Sequence, residues 1–282
     1  MTVTSMLILA AGLGSRFGGD KQLVVVGSSG EAFLDYAIRD GLDAGVEQII
    51  VVTRTELDQP LREHLSSQHP AGLPLIVVHQ DTFGPSRNKP WGTGHAVLSA
   101  ANHLTGPTVI LNADDYYGRR CIARTVRALA NSDGSRGVLL AFELGRTLPE
   151  SGEVSRAVCE IGDANQLRGL VETHRIRREA DGIVAEDPFR RLEFNTPVSM
   201  NLWGLPTHAI EHLSSQWTTF HAKHIDDPIG EFLLPTALDE QLADGRLEVD
   251  VVFTDEHWVG VTNPDDLDVA RTLIAEHRTE GA

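Results

Sequence analysis

The chain has 282 residues, enough for one substantial hydrophobic core or two modest ones. Its 41% hydrophobic and 23% charged content is that of a globular protein, and a net charge of −16 with no offsetting basic stripe argues against a nucleic-acid partner. No apolar run approaches the ~20 residues that cross a bilayer. The N-terminus lacks the basic flank of a secretory signal, and two cysteines, Cys121 and Cys159, fall in no metal or disulfide pattern, so a cytoplasmic protein without membrane contact is expected.

In chain order, a buried-strand signal over 6–10 runs straight into a glycine-rich loop, the whole reading LILAAGLGSRFGGDKQL. Glycines let the backbone approach a ligand closely, and successive loop amides form a concave anion site. The backbone of Ala11, Gly12 and Gly14 is expected to cradle a triphosphate, with Arg16 and Lys21 neutralising its oxygens. Two better-known phosphate loops do not fit. The spacing Gly12, Gly14, Gly18 is one residue too long for G-x-G-x-x-G, and Lys21 is followed by Gln22 where a P-loop needs Ser or Thr.

Short aliphatic runs over 48–53, 73–79 and 108–111 read as further strands, separated by helices near 33–42, 56–67 and 94–103 and another after Tyr117. Such alternation predicts a mostly parallel sheet with helices on both faces. Beyond residue 135 the pattern changes: strands over 138–143, 156–161, 167–172 and 197–203 predict a smaller mixed sheet, and helices return near 207–217, 228–243 and 264–278. The polar stretch 177–193 reads as a loop or lid. With no internal repeat and no linker, a single domain over 1–282 is expected, its nucleotide-binding half ending near 135 and an acceptor-binding half following.

Four further segments carry chemistry. NADDYYG follows the strand at 108–111, and open α/β sheets bind ligands beyond the carboxyl ends of their strands. A carboxylate at that point, from the pair Asp114 and Asp115, can hold Mg²⁺ against substrate phosphates. PWGTGHAV opens a helix after the third strand, and PVSMNLWG and WVGVTNPDD lie in the second half. The spacing of His208, Glu211 and His212 matches a zinc-peptidase pattern, but it follows Pro206 at a helix start and has no second matching motif.

Together these segments resemble the nucleotidyltransferases that make nucleotide-sugars, whose N-terminal signature is L-A-A-G-x-G-x-R followed by a lysine. The likeness spans most of the chain and includes a bacterial subgroup known only as sugar-phosphate nucleotidyltransferase-like. It implies a Rossmann-like, GT-A-type α/β fold and a Mg²⁺-dependent enzyme joining a nucleoside triphosphate to a sugar 1-phosphate with release of pyrophosphate. It also implies Arg16, Lys21 and Asp114 as catalytic residues, with Asp114 on the metal and Asn263, or failing it Asp255, as its second ligand. Gln80, Gly92 and Thr93 would meet the base, as in the G-T-G-H-A-V box of uridylyltransferases. Glu172, from the family's E-K-P step, and Asn201 would hold the acceptor. Thr173 replaces that step's lysine, so Arg175, or failing it Arg177, is expected to meet the acceptor phosphate. Two alternatives stay open: a non-sugar phosphate or phosphonate as acceptor, and a nucleotide-sugar sensor without catalysis.

Overall fold

The computed structural model describes residues 5–12, 21–132, 134–260 and 266–279. The elements in order are β1 (Ser5–Leu9), α1 (Phe33–Asp43), β2 (Gln48–Thr53), α2 (Asp58–Gln68), β3 (Leu75–His79), α3 (Thr93–Ser99), β4 (Thr108–Asn112), β5 (Asp115–Tyr116) and α4 (Cys121–Asn131). There follow β6 (Arg136–Glu143), β7 (Val154–Ile161), β8 (Leu167–Glu179), β9 (Gly182–Glu186), β10 (Phe189–Leu192), β11 (Pro197–Leu205), α5 (Thr207–Lys223), α6 (Leu234–Ala243), β12 (Glu248–Thr254), β13 (Val259–Gly260) and α7 (Asp266–Thr279).

Every residue of β1 is buried because it lies between β2 and β4, parallel to both, with helices on either face. Its side chains alternate accordingly. Met6, Ile8 and Ala10 join the core under α1, α2 and α4, whereas Leu7, Leu9 and Ala11 join the core under α3, α5 and α6. In α4 the buried residues Cys121, Ile122, Thr125, Val126 and Leu129 recur at helical spacing, which turns one stripe to the sheet.

An eleven-stranded sheet unites both halves of the chain. Strands β3, β2, β1 and β4 are parallel, β11 runs antiparallel to β4, and β6 and β12 continue beyond it. β11 is forked. Its first residues pair with β7 at Val198 and Ser199, and its last pair with β4 from Trp203 to Leu205. The register shifts between, at Asn201, whose φ of 63° marks the bend.

Three expectations need correction. Residues 177–193 do not form a loop or lid: β8 runs on to Glu179, and β9 and β10 fold back as antiparallel hairpins. Their inward positions, Ile176, Ile183, Val184 and Ala185, are buried, which offsets the charged outer positions that gave the stretch its loop-like composition. Strand β12, unmarked in the sequence reading, pairs parallel with β6. Helix α6 starts only at Leu234, because the preceding segment leaves the helical path to dock on residues 91–94.

Candidate active site

The carboxyl ends of β1 and β4 lie side by side, with Leu9 in register with Asn112 and Ala113 N–H donating to Leu9 O at 3.0 Å. This adjacency brings the two strongest motifs together. Lys21 Nζ donates to Asp114 Oδ2 at 2.5 Å, a contact between residues 93 apart in sequence, and the side chains are 18% and 27% exposed. Gln22 donates to Gly12 O at 2.6 Å and ties the return of the loop to its entry. Ala11 is buried and Gly12 exposed, so the backbone opens to solvent there. Gly14, Arg16, Thr262 and Asn263 lie outside the described residues.

Asp115 behaves differently from its neighbour. It is buried, and Asn112 Nδ2 and Tyr117 Oη donate to its Oδ2 at 2.8 and 3.2 Å. Burial first, and the adjacent Asp114 charge second, push its carboxyl well above the usual carboxylate range. Asn112 also accepts from Asn201 Nδ2 at 2.7 Å, while Trp203 Nε1 donates to Asn201 Oδ1 at 3.1 Å. Asn201 therefore sits in the fork of β11, in one hydrogen-bond chain with Asp115 after β4. Asn112 was not singled out in the sequence, although it is the first letter of NADDYYG.

Gln80 is buried at the end of β3, and its amide nitrogen meets Gly92 O at 2.9 Å and His95 Nδ1 at 3.2 Å. Gly92 has φ 101°, and a Cβ there would stand 2.6 Å from Phe232 O, so no other residue fits this turn. Gly94 N–H donates to Phe232 O and Thr93 Oγ1 accepts from Leu234 N–H, both at 2.9 Å. The box is thus braced from behind by residues 232–234.

In the second half of the chain, Glu172 of β8 is exposed and stands in register with Ala157 and Ser199 on two adjacent strands. Thr173 is buried, donating to Val171 O at 2.9 Å and accepting from Arg190. Arg175 is not brought to these groups: its side chain is 62% exposed and ion-paired to Glu186 at 2.7 Å. Arg177 pairs with Glu186, Glu179 and Glu153. A second cation besides Lys21 acts on the site carboxylates: the charge of Arg156 interacts with Asp115 and Glu172. A lone arginine between small residues in a strand gave no signal by itself.

His208 and His212 stack edge-on at 6.1 Å on α5, and among the described residues no group of three or more His, Cys, Asp or Glu is arranged to hold a metal ion. Both cysteines are buried and free. No described helix is long and apolar enough to cross a membrane.

Comparison with known proteins bears on this geometry. The chain is 31% identical over 176 residues to the bifunctional protein GlmU of Methylibium petroleiphilum, covering 59% of this chain and 34% of that protein. GlmU of Mycobacterium tuberculosis is 26% identical over 250 residues, covering 79% of this chain and 46% of its own length. The chain therefore spans between about a third and a half of these relatives. A UDP-glucose pyrophosphorylase from Acinetobacter baumanii has the same fold, with a TM-score of 0.64 at 17% identity over 98% of this chain and 95% of that one. Residues 6–194 match the MobA-like NTP transferase domain, so the chain belongs to that family, and its fold is GT-A-like α/β.

Proposed function

We propose that the protein joins a nucleoside triphosphate to a sugar 1-phosphate. An oxygen of the acceptor phosphate attacks the α-phosphorus, the bond from that phosphorus to the bridging oxygen of pyrophosphate breaks, and a nucleotide-sugar and pyrophosphate result. The convergence of Lys21 and Asp114 beyond β1 and β4 carries this reading. Such a displacement asks little covalent chemistry of the protein, so positioning and charge neutralisation supply the acceleration.

Arg16 would hold the departing β and γ phosphates, and Lys21 would exchange Asp114 for oxygens at the α-phosphorus. The backbone of Ala11, Gly12 and Gly14 would cradle the nucleotide, whose base would meet Gln80, Gly92 and Thr93. Glu172 and Asn201 would position the acceptor. Asp114 suits Mg²⁺: it is a partly exposed carboxylate that already draws a cation, the protein share this ion takes when substrate phosphates complete its shell. Bound there, with Asn263 as a second ligand, the ion would offset repulsion between the two anionic substrates.

The deciding experiment is a screen of ATP, GTP, CTP, UTP and dTTP against glucose 1-phosphate, N-acetylglucosamine 1-phosphate, mannose 1-phosphate and glycerol 3-phosphate, read as pyrophosphate release with Mg²⁺. Acceptor-dependent release with a sugar 1-phosphate is expected. Release with glycerol 3-phosphate alone would move the acceptor to the non-sugar class. No release with any pair, despite nucleotide binding, would favour the sensor.

A further inference from the structure

A phosphate monoester brought beside an anionic α-phosphate calls for a cation on the acceptor side. Thr173 carries none, and Arg175 and Arg177 are engaged with carboxylates on the hairpin. One strand away from Thr173, and in register with it, is Arg156 of β7. Its guanidinium lies 4.9 Å from the centroid of the Trp258 ring. Nε donates to Thr147 Oγ1 at 3.2 Å, one terminal nitrogen to Thr147 O at 2.5 Å and the other to Ser155 O at 2.8 Å.

Three of the five N–H groups of an arginine are thereby fixed, leaving one on each terminal nitrogen. Among the described residues each terminal nitrogen thus keeps one N–H for a further acceptor, such as a phosphate oxygen. The wall behind it is continuous with the metal side of the site: a Cβ on Gly260 would stand 2.6 Å from both the Trp258 ring and Asp115 Oδ1. Trp258 Nε1 is itself buried with no hydrogen-bond partner among the described residues, a second donor held at the same wall. Burial lowers the Arg156 pKa to about 10, against the opposing pull of Asp115 and Glu172, so the group stays cationic at neutral pH.

We propose that Arg156, not Arg175, is the acceptor-side cation, its terminal N–H pair receiving the phosphate of a phosphorylated acceptor above the Trp258 platform. The assignment rests on the nucleotidyl-transfer reading. It is tested by steady-state kinetics on the NTP and acceptor pair found in the screen, with Arg156→Met, Arg156→Lys and Arg175→Ala in the full chain. Arg156→Met keeps an apolar stem over Trp258 and should raise the acceptor KM at least about tenfold, the loss of a charge-assisted contact. The nucleotide KM should stay within about twofold. Arg156→Lys should recover part of the loss, free guanidinium should partly rescue Arg156→Met, and Arg175→Ala should match the parent.

Equal changes in both KM values with a lowered Tm and no rescue would reduce Arg156 to a brace for Thr147 and overturn the proposal. So would an acceptor KM that moves with Arg175→Ala instead. A parent that turns over no pair refutes the functional reading, and this assignment falls with it; an active parent indifferent to Arg156 refutes the assignment alone.

Discussion

Lys21 and Asp114 pair across 93 residues, and each was visible in the sequence only as part of its own motif. Their convergence makes a sharp prediction. Lys21→Ala should lower kcat by at least about 100-fold, the usual worth of one preorganised charge contact, and leave Tm nearly unchanged because partly exposed ion pairs add little stability. Turnover within about threefold of the parent would remove Lys21 from the chemistry. Arg156 was illegible for a physical reason. A single charged residue in a half-buried strand has the composition of a solvent face, and only the approach of Trp258 and Thr147 from other segments turns it inward. The same holds for Asp35, which accepts from the Ala32 N–H at 2.7 Å and meets His64 at 2.6 Å and His69 at 2.7 Å, partners 29 and 34 residues away. Burial pushes its carboxyl up, but the hydrogen bonds from the two histidines and Ala32 prevail and bring it down to about 2. A depressed carboxylate pKa stabilises the fold above the unfolded value near ~4 and ceases to do so as pH falls toward 2. Asp35→Asn should therefore cost about 2–3 kcal/mol at pH 7, measured by urea unfolding, and progressively less below pH ~4. A cost that does not shrink in acid would show that the pairing with the histidines is not its source.

Elements with a buried stripe or two covered faces were the legible ones. β2 lies where its aliphatic run placed it, and α4 shows the apolar spacing of its sequence. The hairpins from β8 to β10 were hidden because their outer faces are charged, although Asp181-Gly182 at the first turn is a local hairpin signal. β12 was hidden similarly, its apolar run interrupted by the outward Glu248 and Asp250, both paired to Arg136. Helix α4 illustrates a cap that no local pattern announces. It has no acidic residue in its first turn and no side-chain cap of its own. Glu256, from the turn after β12, fills that place by accepting from the N–H groups of Arg119 and Arg120 and from Arg120 Nε. Glu256→Ala should lower unfolding stability by about 2 kcal/mol, since it leaves the N–H groups of Arg119 and Arg120 at the helix entry unpaired, without changing either substrate KM. A loss below about 0.5 kcal/mol would mean water replaces the cap at no cost.

Across the whole molecule, the forked β11 joins the two halves that composition suggested. One branch continues the parallel part of the sheet through β4, and the other continues its antiparallel part through β7. Asn201 stands at the branch point and is bonded to Asn112, so groups from both halves meet beyond the carboxyl ends of β1 and β4. That arrangement suits a reaction between two phosphorylated molecules, one delivered by each half. The most direct test follows product and pyrophosphate together for the active pair of the screen, in the parent and in Asp114→Asn, across a Mg²⁺ titration. Nucleotidyl transfer predicts one pyrophosphate per nucleotide-linked product in the parent, none without acceptor, and loss of both in Asp114→Asn at every Mg²⁺ concentration. Pyrophosphate without a nucleotide-linked product, or an Asp114→Asn variant that keeps the parent's rate, would contradict it.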